Sequence, residues 1–193
     1  MSNLKELTWD HHQNAERQQF VKVLMSGKIN PKFYATYLYN QWKKYDALEE
    51  ALDQLGVWAD DLQLFDIKQM KKIEEDWQEL WDLKQGTPIT LPSTHAYLDR
   101  IKQIEEDQDT LMAHVYVLHM GDLSGGQMIK RKIPGEGRMY QFEGEVKNLK
   151  DNLRTYTHDG QADEAKYVFD SATNLFQEMM EVVVIDLKAN DRT

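Results

Sequence analysis

"HMGDLSGGQMIK", from His119 to Lys130, reads as helix interior apart from three glycines, Gly121, Gly125 and Gly126. Each glycine costs about 1 kcal/mol against alanine inside a helix, so the group removes about 2–3 kcal/mol of local stability. In exchange the main chain is left bare for another object to approach, and the hydrogen-bond ladder bends easily. At about 100° per residue, Gly121 and Gly125 share a face, Asp122 and Gly126 flank it, and Leu118 lies between. The approaching object is either a neighbouring helix or a flat, wide ligand. Asp122 favours the ligand, because an acid on a strip built for close contact must find a polar partner or ordered water.

Outward from this stretch the punctuation is that of helices. Asn30 before Pro31 and Gly56 past the end predict a helix over 31–55. An earlier one runs from Asn3, with Glu6 as its capping-box partner, to Met25, where Ser26 and Gly27 stop it. Others are expected over 58–84, 93–107, 109–132, 145–157 and 161–188, with the loop "PGEGRMYQFEG" before the last two. "VVVIDL" (Val182 to Leu187) has the β-branching of a strand, but nothing in the chain offers it a partner, so it reads as a buried helix end. The expected architecture is an all-α helical bundle in a single domain over 1–193.

Composition narrows the function classes. A chain of 193 residues, 41% hydrophobic and 29% charged, can bury a core without staples. With no cysteine, disulfides, thiolate metal sites and cysteine nucleophiles are excluded, and a reducing compartment fits. No signal-like start and no apolar run near 20 residues is visible, so a cytoplasmic protein without membrane contact is expected. The net charge of −10 argues against nucleic-acid binding, although Lys130, Arg131 and Lys132 form a local basic patch. That patch reads equally as a solvated helix end and as a docking point for an acidic electron donor.

A second constellation lies on the first helix, in "TWDHHQNAE". His12 and Glu16 are four residues apart, so the carboxylate can fix the imidazole tautomer and free the other nitrogen for a metal. Taken alone, such a pair is commonplace. Lys5 shares its face, and His11 points about 100° away. His114 reads as a packing and hydrogen-bonding residue, His119 faces away from the glycine strip, and His95 and His158 sit near loops. Glutamate pairs such as Glu49-Glu50 raise a di-iron carboxylate bundle, but the required Glu-x-x-His repeat is missing.

These residues carry a resemblance. "LMAHVYVLHMGDLSGGQMIK" (Leu111 to Lys130) resembles the signature of the heme oxygenase family, and "HQNAE" followed by "GKI" is similar to its proximal-histidine helix. "YDALEEAL" (Tyr45 to Leu52) and "VFDSATNLFQEM" (Val168 to Met179) match as well, so the likeness spans nearly the whole chain. It implies heme b as both substrate and cofactor, with His12 as axial iron ligand and Glu16 hydrogen-bonded to its other ring nitrogen. Gly121 and Gly125, with Gly126 beside them, would lie over the distal face. Asp122 would organise the water that delivers protons, with Tyr45 in its network. Lys5, Tyr116, Lys150 and Arg154 would hold the propionates, and Phe169 would form an aromatic wall.

The same resemblance implies cleavage of heme to biliverdin, of the IX-alpha isomer, with carbon monoxide and ferrous iron, using dioxygen and electrons from ferredoxin. A downstream bilin reductase and a monomeric state are implied too. Three positions depart from the family. Leu118 stands where arginine is common in the distal network, Ala172 where an asparagine is common, and Trp9 where a second propionate-facing lysine is common. Thr173, Asn174 and Asp170 are candidates to compensate. The rival readings are a heme carrier or sensor without turnover and a non-heme bundle sharing only the fold.

Overall fold

The computed structural model describes residues 2–60 and 62–190, with the side chains of residues 60, 62–63 and 183–190 outside that description. Among the described residues every regular element is helical. The chain opens with α1 (Leu4–Leu7), α2 (Trp9–Glu16) and α3 (Gln19–Met25), then the long α4 (Pro31–Gln54). Next come α5 (Val57–Asp60), α6 (Leu62–Phe65), α7 (Met70–Leu80) and α8 (Pro92–Ile104). α9 (Gln108–Leu123), α10 (Gly126–Ile129), α11 (Val146–Thr155) and α12 (Ala162–Asn190) complete it. Among the described residues no helix is long and apolar enough to cross a membrane.

Helix α4 is the central post. Asn30 caps it by accepting from Lys32 N at 2.9 Å and Phe33 N at 3.2 Å, and Gly56 ends it at φ +77°. Its buried stripe includes Tyr34, Leu38, Tyr45, Leu48 and Leu52, against which α7, α8 and α9 pack. Helix α12 is the second post, lying against α2, α3, α8 and α9. The "VVVIDL" segment belongs to α12 as expected, while its burial falls mostly on side chains outside the described residues.

Three expected helices are broken, each for a local reason. The span 3–25 is interrupted at Thr8, whose hydroxyl bonds back to Leu4 O at 2.8 Å, and at Gln18, which turns extended. That second turn lets Phe20 and Leu24 enter the core. Asn3 makes no side-chain cap, so the expected capping box does not form; its backbone N–H donates to Asp159 Oδ1 at 2.6 Å. The span 58–84 restarts at Met70 because the Glu49 carboxylate, from α4, accepts from Gln69 N and Met70 N. The span 109–132 stops at Leu123: Ser124 sits at φ −111°, ψ −89°, outside helical geometry.

The last break has a visible cause. Asp76 of α7, almost fully buried, accepts from Arg138 N at 3.0 Å and Met139 N at 2.9 Å, which pins a 3₁₀ turn over Arg138–Tyr140. The turn presses the Tyr140 ring against Gly126, where a Cβ would stand 2.5 Å from Cδ1. No other residue fits there without moving the ring. Gln127 secures the junction, donating to the carbonyls of Asp122 and Tyr140, each at 3.2 Å. Gly126→Ala is expected to destabilise the protein by about 1–3 kcal/mol through overpacking, read as a lower midpoint in denaturant unfolding.

Candidate functional site

One group of the candidate residues lies on α2, which packs against α12. His12 is about one-third exposed, with Nε2 3.3 Å from Glu16 Oε1. Both partners are open to water, so the pair adds little to stability and leaves the ring available to an incoming ligand. Phe169 from α12 meets the His12 ring edge-on at 5.4 Å, and Trp9 stands at 5.5 Å on another side. Lys5 Nζ lies 5.8 Å over the Trp9 ring. His11, the neighbouring imidazole, is committed elsewhere: its Nδ1 is 2.7 Å from Asp170 Oδ1. His11 is thus tied to α12, while His12 pairs with a carboxylate of its own helix.

The other group lies at the broken end of α9, which also packs against α12. A Cβ at Gly121 would meet no atom within 4 Å, and one at Gly125 would touch only the Gly121 carbonyl at 3.9 Å. Gly121 and Gly125 therefore present bare backbone to open space. Gly126 does not join them, since its missing side chain is replaced by Tyr140. The close-approaching neighbour weighed for the strip is real for one glycine and absent at the other two.

Asp122 turns inward from this edge and is 7% exposed. Tyr45 donates its hydroxyl to Oδ2 at 2.5 Å. Burial pushes the Asp122 carboxyl up to about 7, against the lowering influence of the Tyr45 hydrogen bond, His119 and Lys44. Lys44 is fully buried, its ammonium 4.8 Å over the Tyr97 ring, and desolvation brings it down to about 8 while Asp122 pulls the other way. Leu118 is buried and apolar, so it adds no donor to this group.

At the side, α11 packs on α9 and carries Lys150 and Arg154. Arg154 Nη1 lies 2.6 Å from Asp151 Oδ1, and its charge reaches half-buried Tyr116, opposing the rise that burial imposes on that phenol. The candidate compensators fare unequally. Asp170 is held by His11, Asn174 is exposed, and the Thr173 hydroxyl is buried without a partner.

The remaining histidines take structural places. His114 is fully buried between Tyr97 Oη and Glu164 Oε1, each at 2.8 Å, and Arg100 closes that network from the surface. His119 faces away from the strip, against Glu49 at 3.2 Å. His158 bonds Asp109 Oδ1 and caps a 3₁₀ turn, while His95 is exposed. Among the described residues no cluster of three histidine or acidic side chains could hold a metal ion.

Sequence reasoning did not single out Lys44 or Tyr140. A signal existed for Lys44, which lies on the buried stripe of Tyr37, Gln41, Tyr45 and Leu48. Tyr140 gave none, because its value depends on a glycine 14 residues earlier in the chain.

The Asp122 carboxyl makes stability fall with pH. Its folded value lies above the unfolded one, so the native state holds the extra proton between about pH 4 and 7, and stability drops as that proton is lost. Measured against Asp122→Asn, the wild-type chain should lose on the order of 4 kcal/mol across that window, from urea unfolding at stepped pH.

Comparison with known proteins follows the same outline. The family model for heme oxygenase matches residues 1–184. A heme oxygenase of Rhodella violacea is 30% identical over 165 residues, which is 78% of this chain and 70% of that relative. Heme oxygenase 2 of Mus musculus is 31% identical over 157 residues, covering 72% of this chain and 48% of its own, so the match spans about half of that relative's length. The solved heme oxygenase of Leptospira interrogans superimposes with a TM-score of 0.74 at 29% identity, over 91% of this chain and 97% of that one. Heme oxygenase-2 of Synechocystis sp., solved in complex with heme and NO, gives 0.76 at 26% identity over 93% and 84%. With the sequence pattern running from residue 1 to 184 and the fold recovered in relatives that share more than a quarter of its residues, the chain belongs to the heme oxygenase family.

Proposed function

We propose that the chain binds heme b as its substrate and opens the ring to biliverdin, of the IX-alpha isomer, with carbon monoxide and ferrous iron. The carrying observation is the juxtaposition on α9 of bare, unfilled Gly121 with inward-turned, near-neutral Asp122. A strip made only for helix packing would be covered; this one is open. The residues fit the group. Half-open His12 offers an imidazole nitrogen, Phe169 offers a flat wall, and Lys5, Lys150, Arg154 and Tyr116 offer cations and a hydroxyl for the propionates. Bound heme supplies the iron that activates dioxygen and the macrocycle that is cleaved.

The protein's own part is exclusion and proton control. His12 would hold the heme iron through an imidazole nitrogen, and Glu16 would orient its ring. Gly121 and Gly125 would leave room for the macrocycle beside the main chain, while Gly126 contributes indirectly, by seating the strip on Tyr140. Asp122 holds or releases a proton at its carboxylate oxygens, and Tyr45 fixes that group through Oδ2. The catalytic reading thus assigns proton handling to Asp122 with Tyr45, and steric control to the two open glycines.

Ferredoxin is the proposed donor, docking at Lys130, Arg131 and Lys132, which follow α10, with biliverdin passing to a bilin reductase. The protein is read as a cytoplasmic monomer. Apolar Leu118 beside Asp122 favours a second reading, a heme carrier without turnover.

Hemin added to the purified chain should give a shifted Soret band that His12→Ala abolishes or strongly alters. Ferredoxin, its reductase and NADPH in air should then bleach the band and raise the broad red absorbance of biliverdin. A stable complex with no pigment selects the carrier, and no complex at all removes both readings. Gly121→Ala separates fold from chemistry: open space leaves the unfolding midpoint unchanged or slightly raised, by up to about 1 kcal/mol, while pigment formation falls at least tenfold.

A further inference from the structure

Behind the Tyr45–Asp122 pair lies a buried couple that the roles above leave unused. Glu49 is 2% and His119 0% exposed, and Nε2 of the imidazole lies 3.2 Å from Oε1 of the carboxylate. Glu49 is itself fixed: it accepts from Gln69 N at 2.7 Å and Met70 N at 3.2 Å, and its carbonyl accepts from Trp58 Nε1 at 2.9 Å. The other His119 nitrogen, Nδ1, is buried with no hydrogen-bond partner. The His119 ring stands 5.0 Å from that of Tyr45, and His119 precedes Asp122 by about one turn of α9. A buried imidazole with one nitrogen anchored and the other free is more than packing requires, since an apolar ring would fill the slot without an orphaned polar atom.

We propose that His119, anchored by Glu49, is a positioning residue for Asp122: from one turn back it steadies the Tyr45 ring and, when protonated against Glu49, lends the carboxylate the positive field that Leu118 does not supply. It touches no reacting atom and acts only through Asp122. The surrounding fields act in both directions. His119 and Lys44 favour the charged form of Asp122, Glu49 opposes it, and Tyr45 stabilises it by hydrogen bond. The phenols of Tyr34, Tyr37 and Tyr140 also feel the Asp122 charge and stay protonated under burial. Low effective dielectric in this buried setting makes each nearby charge count for more than it would in water.

The proposal rests on the reading of Asp122 as the proton-handling group, yet its test uses the heme-free chain, so its failure and the failure of turnover are read separately. With ¹³C-labelled aspartate, the Asp122 carboxyl signal is assigned by its loss in Asp122→Asn and followed against pH. The wild-type midpoint is expected near 7. His119→Gln, and independently His119→Tyr, which keeps a flat ring beside Tyr45, should raise it by about half a unit or more. Loosening of the fold would hydrate Asp122 and lower the midpoint in every variant, so the upward shift is the signature that structural damage does not imitate. No shift in the His119 variants, or a downward one, overturns the proposal.

Discussion

The fold and the site meet where the Tyr140 ring occupies the volume a side chain at position 126 would need. That one exclusion fixes the end of α9. Asp76 pins the turn bearing Tyr140, Tyr140 seats Gly126, and the helix breaks at Ser124, leaving Gly121 on an open edge and Asp122 pointing inward. A rigid aromatic contact thereby helps to position the polar site. Glycine serves two opposite purposes within six residues: at 126 it admits a neighbour, and at 121 it keeps space empty.

Asp122 is held at an energetic disadvantage. Nothing in the ion-pair geometry of the described residues neutralises it directly; one phenol donates to it, and the cations that favour its charge act from Lys44 and His119. A carboxyl so placed changes protonation state near neutrality, which a proton-handling group requires. A direct guanidinium partner would have driven the same group toward permanent ionisation. The arrangement of weak, indirect cations around a buried acid is coherent with Leu118 in the place of a stronger donor.

Much of this was legible in the sequence. The all-helical class, the cap at Asn30, the stop at Gly56 and the helix of "VVVIDL" follow from local rules that the structure leaves intact. The breaks at Thr8, Gln18 and Ser124 and the restart at Met70 were not, because two of them depend on distant partners: Glu49 caps α7 from another helix, and Tyr140 blocks Gly126 from a later turn. At the site, spacing singled out His12, Glu16, Gly121 and Asp122 as residues, but it could not rank His12 over His11. The Asp170 partner that occupies His11 lies 159 positions away in the chain. Local pattern speaks to faces and caps; commitments made across the bundle stay silent until the helices are assembled.

The empty volume beside Gly121 bears on how such a chain drifts over generations. Folding imposes no penalty for a methyl group there, so under the proposed function the chemistry alone would guard the position, whereas Gly126 is guarded by packing whatever the protein does. A lineage that abandoned its chemistry would fill position 121 while keeping 126 bare. The two glycines together would record that loss in the primary structure of its descendants.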